Sequence, residues 1–513
     1  MNKTNPHRSL FLKGIVLIIM VCVSLVGFAQ KPKEVRIKQA DDLLFDRQQI
    51  GNVQRLVGNV ILEHEGALLS CDSAWLYSGA NRFQAFGHVV INHNDTLTIS
   101  GDSLLYEGNT RTANLYHNIR LQTPSSSLTT NRMIYHTDSK QALYTGGGEI
   151  IDKDNRLRSR SGTYDANSST YFFKDSVKLF SKQYEISTDT LKYNTITHRS
   201  TFLGPTYIEG EGNTVYCENG WYNTRTDQLE YNTNVSIASG NQRLKGDSIV
   251  FDKNTGIGKI FRQVEILDTA QHTLVRGDYA EYMQKMDSSF VTGHVLLIMV
   301  MDSDSLYLHA DTLRTREDSV SHNKTLYAYN KVRFYKSDMQ GQCDSLIYRE
   351  ADSTITMYGK PVLWSEENQM TSGIIRLRLW DGKVQKLLMN EEAMIISQED
   401  SSRFNQIKGR DMTGFFNKNR LHKINVVGNG QTIYFAKNDK EEMIGVNKAE
   451  CSDMMIFMKE NKVKSITFIT QPDATLFPIN DIPPSELRLK KFRWMENVRP
   501  ANQNDIFQWP ATL

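Results

Sequence analysis

The chain has 513 residues, 60 lysines and arginines against 58 aspartates and glutamates, and 39% hydrophobic residues. Near-neutrality without a basic block excludes a groove that tracks a nucleic-acid backbone, so no nucleic-acid partner is expected. A chain of this length can bury a core of its own, and its five cysteines are too sparse for a disulfide scaffold.

The N-terminus is written for export. Lys3, Arg8 and Lys13 precede an apolar run from Gly14 to Phe28, and Gly27-Phe28-Ala29 supplies small residues for a signal peptidase. A signal peptide over residues 1–29 is the reading, with cleavage before Gln30. The alternative is an uncleaved inner-membrane anchor, because the run falls just short of a membrane span. Cys22 follows Met20-Val21, which makes it a poor lipoprotein acceptor.

Next comes a repeat. Phe45 with Val57, Val60 and Leu62 forms an opening rung, and then an aromatic recurs every 29 residues: Tyr77, Tyr106, Tyr135, Tyr164, Tyr193, Tyr222 and Phe251. Other columns move with it. Seven positions earlier stand Ile99, Leu128, Leu157, Ile186, Val215 and Leu244; nine later, Phe86, Leu115, Tyr144, Phe173, Phe202, Tyr231 and Ile260. Fifteen later stand Leu121, Ile150, Leu179, Ile208, Ile237 and Ile266. A fixed period over seven copies means one structural unit stacked repeatedly, with apolar stripes along the stack. Runs such as Asp189-Thr190-Leu191-Lys192-Tyr193 alternate at the strand period, and turn formers such as Asn223-Thr224-Arg225-Thr226 separate them. Each rung has room for two or three short strands, and no helical stripe appears after residue 35.

The regular array covers residues 35–300. A less regular continuation over 301–470 carries looser rungs at Asp311, Asp344/Tyr348 and Asp411/Phe415. Residues 471–513 hold six of the eleven prolines and read as a tail that cannot join a ladder. Phe492 and Trp494 among Lys490, Lys491, Arg493 and Arg499 favour a docking strap over a loose end.

Cys71, Cys217 and Cys343 sit at nearly the same rung position, several rungs apart. With at least ~4.8 Å per rung, no pair reaches the ~7 Å that a disulfide allows. They read as buried small residues, with Cys451 a fourth free thiol. Gly101-Asp102-Ser103-Leu104 spells a hydrolase nucleophile block, and Gly246-Asp247-Ser248-Ile249 nearly repeats it. No histidine has an aspartate three residues before it, and the aspartate recurs at Asp102, Asp189, Asp247, Asp278, Asp311 and Asp344. Recurrence marks a structural position, so no catalytic residue, metal or cofactor is expected. His88 and His93 are read as surface histidines.

The run from Leu68 to Tyr77, followed by Phe83-x-Ala85-Phe86-Gly87-His88-Val89, resembles the OstA-like (LptA-like) periplasmic domain. It recurs as Gly101–Tyr106, Asp189–Tyr193, Asp247–Phe251 and Asp344–Tyr348. The resemblance covers residues 35–300 well and 300–470 loosely. It implies an all-β, elongated, solenoid-like β-jellyroll. This sequence departs from the family in an array about twice as long as a minimal bridge subunit and in lacking a C-terminal run of membrane strands, so no transmembrane barrel is expected. The function the resemblance implies is a periplasmic bridge whose apolar groove shelters lipopolysaccharide acyl chains on their way to the outer membrane. Its partners would be an inner-membrane export complex and outer-membrane translocon proteins, with end-to-end self-association also open. Groove candidates are Tyr77, Tyr106, Tyr135, Tyr164, Tyr193, Tyr222, Phe251, Phe86, Phe173, Phe202 and Tyr231. The column Leu104, Met133, Gly162, Leu191, Gly220 and Ile249 alternates large and small, which leaves a groove or packs small against large. The alternative function is a structural or surface-adhesion array without lipid cargo.

Overall fold

A computed structural model describes residues 34–510 apart from 47–52, 94–96, 153–154, 183, 211, 302–303, 418–419, 439, 441, 460–461 and 480. The expected signal peptide lies outside the described residues. The described chain is β-strand throughout, broken only by turns and short 3-10 segments, and none of its helices could cross a membrane. It divides into two compact units, Met1–Ser181 and Lys182–Leu513.

In the first unit each rung consists of two strands of eleven or twelve residues rather than two or three short ones. Ala67–Tyr77, Arg82–His93, Leu97–Glu107, Thr112–Gln122 and Ser126–His136 each pair antiparallel with the next in sequence, and the meander continues through Thr170–Phe180. Every pairing slips in mid-strand. The slip falls where alternate strands place residues in the left-handed region: Gly87 and His88, His117 and Asn118, Gly146 and Gly147, Asp175 and Ser176. Two such residues turn the strand sharply, as a β-bulge does, so one strand serves two half-sheets that face each other. One half carries the Tyr106 column and is the aromatic half. The other carries the Ile99 column and is the aliphatic half.

The recurrent aspartate holds this corner. Asp72 accepts from His88 at 2.8 Å, Asp102 from Asn118 at 2.7 Å, and Asp41 from Asn59 at 2.8 Å. A side chain on Gly87 would start 2.2 Å from the Asp72 carboxylate, so the acid packs directly over the corner backbone. Asp278 repeats the arrangement with His294 at 2.7 Å, Asp247 with Arg262 at 3.1 Å, and Asp311 with Lys331 at 3.6 Å.

The second unit runs the same meander from Tyr184–Asn194 to Met339–Arg349. Further on, some strands break in two at the corner. Thr354–Tyr358 and Val362–Ser365 both pair with Met339–Arg349, and the two halves Asn368–Thr371 and Ile374–Trp380 both pair with Lys383–Gln398. The last long strands run to eighteen residues, in Arg420–Lys437.

The proline-rich tail docks on the outer face of these last strands. A cross-strand row of Gln340, Trp364, Gln369, Ile396, Gln406 and Ile433 receives it. Gln369 donates to the Arg493 carbonyl and accepts from the Met495 amide, at 2.7 Å each. Gln406 does the same for Leu487 and Leu489, at 2.9 Å each. Ile482 and Leu489 are buried against Ile396, Phe404, Ile433 and Phe435, while the Arg333 guanidinium binds the carbonyls of Val498 and Asp505. Side chains thus satisfy a backbone whose prolines bar it from a ladder.

The four cysteines among the described residues, Cys71, Cys217, Cys343 and Cys451, are free and buried. They pair with Val60, Thr206, Val332 and Gly430 beside the corners, at a position that Gly101, Thr130 and Gly246 fill in other rungs. Only a small side chain fits there: a Cβ on Gly246 would meet Ile260 at 2.4 Å.

Candidate functional site

The facing half-sheets enclose an apolar interior whose openness changes along the chain. In the first unit the aliphatic row Leu62, Leu69, Ile91, Ile99, Leu121, Leu128, Ile150, Leu157 and Leu179 is buried throughout. The opposing row of Leu76, Phe83, Tyr106, Ala113, Tyr135, Ala142, Tyr164 and Tyr171 is buried as well. Small residues alternate with rings here, so the rings fill the space between the strands. Polar links then clip the two halves together. Tyr106 Oη pairs with His64 Nδ1 at 2.7 Å, Tyr171 Oη with Ser126 Oγ at 2.6 Å, and Tyr144 Oη with Ser159 Oγ. Burial pushes the Tyr135 and Tyr144 phenols up to about 12, as a dry interior should.

The second unit opens. Its aliphatic row begins buried at Ile186 and closes again at Leu297, but Ile208, Val215, Ile237, Leu244, Ile266 and Val275 between them are partly exposed. Across from them Tyr193, Tyr222, Leu229 and Phe251 are also partly exposed, and Tyr282 is 46% exposed. The Tyr222 hydroxyl donates to Asp227 in its own hairpin at 2.9 Å, whereas Tyr106, Tyr144 and Tyr171 of the first unit reach across. The floor stays packed, with Phe202, Cys217, Tyr231 and Val235 buried. The result is a trough with apolar walls and no charged side chain in either wall row.

These positions sort the sequence-derived candidates. Tyr106, Tyr135, Tyr164 and Phe173 are core of the first unit, and Phe202 and Tyr231 are floor of the second. Tyr193, Tyr222 and Phe251 line the open wall. The alternating column packs small against large: a Cβ on Gly162 would meet the Tyr144 ring at 2.6 Å, and one on Gly220 the Tyr231 backbone at 3.1 Å. Tyr77 and Phe86 face outward. Phe86 is 40% exposed against Trp75, and Arg82 lies over the Tyr77 ring. Their inner places are taken by Leu76 and Ala85, because Phe83 to Tyr106 spans one residue more than the equivalent Ala113 to Tyr135. One residue turns a strand over. The walls at Ile208, Val215, Ile237, Leu244 and Ile266 stand out in the sequence as stripes, yet nothing in those stripes separates them from the buried Leu121 or Ile150.

Nothing gathers for catalysis around the hydrolase-like strings. Asp102 is engaged by Asn118 and Asp247 by Arg262, and no group of metal-ligating side chains occurs among the described residues.

Residues 32–189 match the family of OstA-like proteins, and residues 274–383 match the family described as LptA/(LptD N-terminal domain) LPS transport protein. No curated protein matches. Among solved structures, the chain is similar to LptH of Pseudomonas aeruginosa, the LptA-homologous periplasmic component of a lipopolysaccharide transport device. The identity is 15%, over 21% of this chain and 82% of that one, with a TM-score of 0.20. With both family matches falling on tandem two-stranded rungs, the chain belongs to the OstA-like/LptA-like family.

Proposed function

We propose that this protein is a periplasmic bridge that shelters lipopolysaccharide acyl chains in the trough between Ile186 and Leu297. The observation that carries the proposal is the contrast between equivalent rows, buried in the first unit and partly exposed in the second. Walls of Ile, Val, Leu, Tyr and Phe without charge suit alkyl chains, each methylene contributing ~0.8 kcal/mol when withdrawn from water. Repetition makes neighbouring rungs near-equivalent, so cargo meets no deep well and can move from rung to rung. The chain carries no nucleotide-binding motor motif, and movement would be driven by an inner-membrane export complex toward an outer-membrane translocon.

Mass spectrometry of lipid retained by detergent-free protein tests this reading. Ile237→Asp should abolish retention with the fold intact, because an unpaired carboxylate in an apolar wall costs several kcal/mol. Ser236→Asp, on the opposite face of the same strand, should leave it unchanged. Wild-type protein that retains no lipid would favour an array without lipid cargo, and equal retention by both variants would remove the trough as its site.

A further inference from the structure

We infer that the second unit carries a separate anion site, under the docked tail, that binds a phosphoryl group. A cavity of about 450 Å³ lies where the tail crosses the corners of the last strands. Lys360, Lys408, Lys490, Lys491 and Arg493 line it, against Glu391 and Glu392. These cations come from three separate segments: a corner, a strand and the tail.

The tail's backbone explains the convergence. Lys491 adopts φ 73°, which breaks the alternation that would send Lys490 and Lys491 to opposite sides. Both therefore face the cavity, with Arg493 beside them. Two carboxylates against five cations cancel only part of this charge. Glu392 is taken by Lys491, and its carboxyl is held below the usual range first by that bond and then by the neighbouring charges, Lys408 and Lys490 among them. Lys408 donates to the Lys490 carbonyl at 3.0 Å, a neutral acceptor. Among the described residues, the side chains of Lys360, Lys490 and Arg493 have no bonded partner. Tail and sheet thus hold like charges close together, an arrangement that a dianion between them would relieve. The cavity suits a phosphate monoester or diphosphate, which can come from free phosphate or from a lipid headgroup. The site lies on the outer face and does not depend on the trough.

Calorimetric titration of the full chain with inorganic pyrophosphate tests the free source. Co-sedimentation with phosphatidylglycerol vesicles, against phosphatidylcholine vesicles, tests the headgroup. Lys490→Gln with Arg493→Gln should weaken binding about ten- to a hundred-fold, the scale of one or two charge-assisted bonds. Lys360→Gln, which makes no bond to the tail, should weaken it with the tail still docked, as read from tryptophan fluorescence. Pyrophosphate binding lost in both variants establishes a free-phosphate site, and loss confined to vesicles establishes a headgroup site. No binding to either probe, or binding equal in wild type and both variants, overturns the inference.

Discussion

Two successive left-handed residues in one strand are costly for any side chain with a Cβ, and here they recur at nearly every rung. The aspartate on the neighbouring strand compensates by bonding to the corner. Gly87→Ala should therefore destabilise the first unit by ~1–3 kcal/mol, since φ is 72° and the new methyl meets Asp72. A melting temperature equal to wild type would show that the corner relaxes freely. Asp72 also raises the pKa of exposed His88 above its ordinary 6.5, chiefly through their hydrogen bond. That contribution is fully present below the unfolded pKa and lost as pH rises through the folded one. An NMR titration should place the His88 midpoint above 6.5, and Asp72→Asn should lower it; an unmoved midpoint would contradict the pairing. At the corner cysteines, burial pushes the Cys71 and Cys217 thiols up to about 11, so thiol reagents should label neither until the chain unfolds. The aspartates and cysteines were legible in the sequence as structural positions. Their task was not, because the left-handed pair is filled variously by Gly-His, His-Asn, Asp-Ser and Thr-Asn.

Among the elements, the tail shows how a segment unfit for a ladder becomes ordered. Glutamine side chains on the sheet do for Leu487–Leu489 and Arg493–Met495 what a strand partner would do. Gln369→Ala leaves two tail groups without protein partners and should weaken docking by ~1–3 kcal/mol. Limited proteolysis should then cut near Arg493 faster than in wild type, and equal rates would remove Gln369 from the docking account. The aromatics and prolines announced a docking strap but not its seat, which lies on the strands of Val362-Leu363-Trp364 and Met394-Ile395-Ile396. Those runs lack the alternation of Leu97–Glu107, as strands buried on both faces do. Gln340, Gln369 and Gln406 carried no such signal, since each reads as an ordinary solvent-facing residue until its face is covered.

For the molecule as a whole, one repeat yields a closed unit and an open one from nearly the same columns. The period and the apolar stripes were readable because they depend on residue type at fixed spacing. Openness was not, because the same residue types stand in both units, and only the fold shows Tyr106, Tyr144 and Tyr171 bonded across a closed interior while Tyr222 bonds Asp227 in its own turn. The single-residue slip that turned Tyr77 and Phe86 outward was equally hidden, since their spacing to later rungs stays at 29. The most direct measurement is site-specific photo-crosslinking to lipopolysaccharide, with the probe placed in turn at Ile237, Leu244, Leu121 and Leu128. Adducts should form at Ile237 and Leu244, in the open walls, and be absent at Leu121 and Leu128, in the closed interior. Adducts of equal yield at all four positions, or at Leu121 and Leu128 alone, would contradict a lipid path confined to the trough.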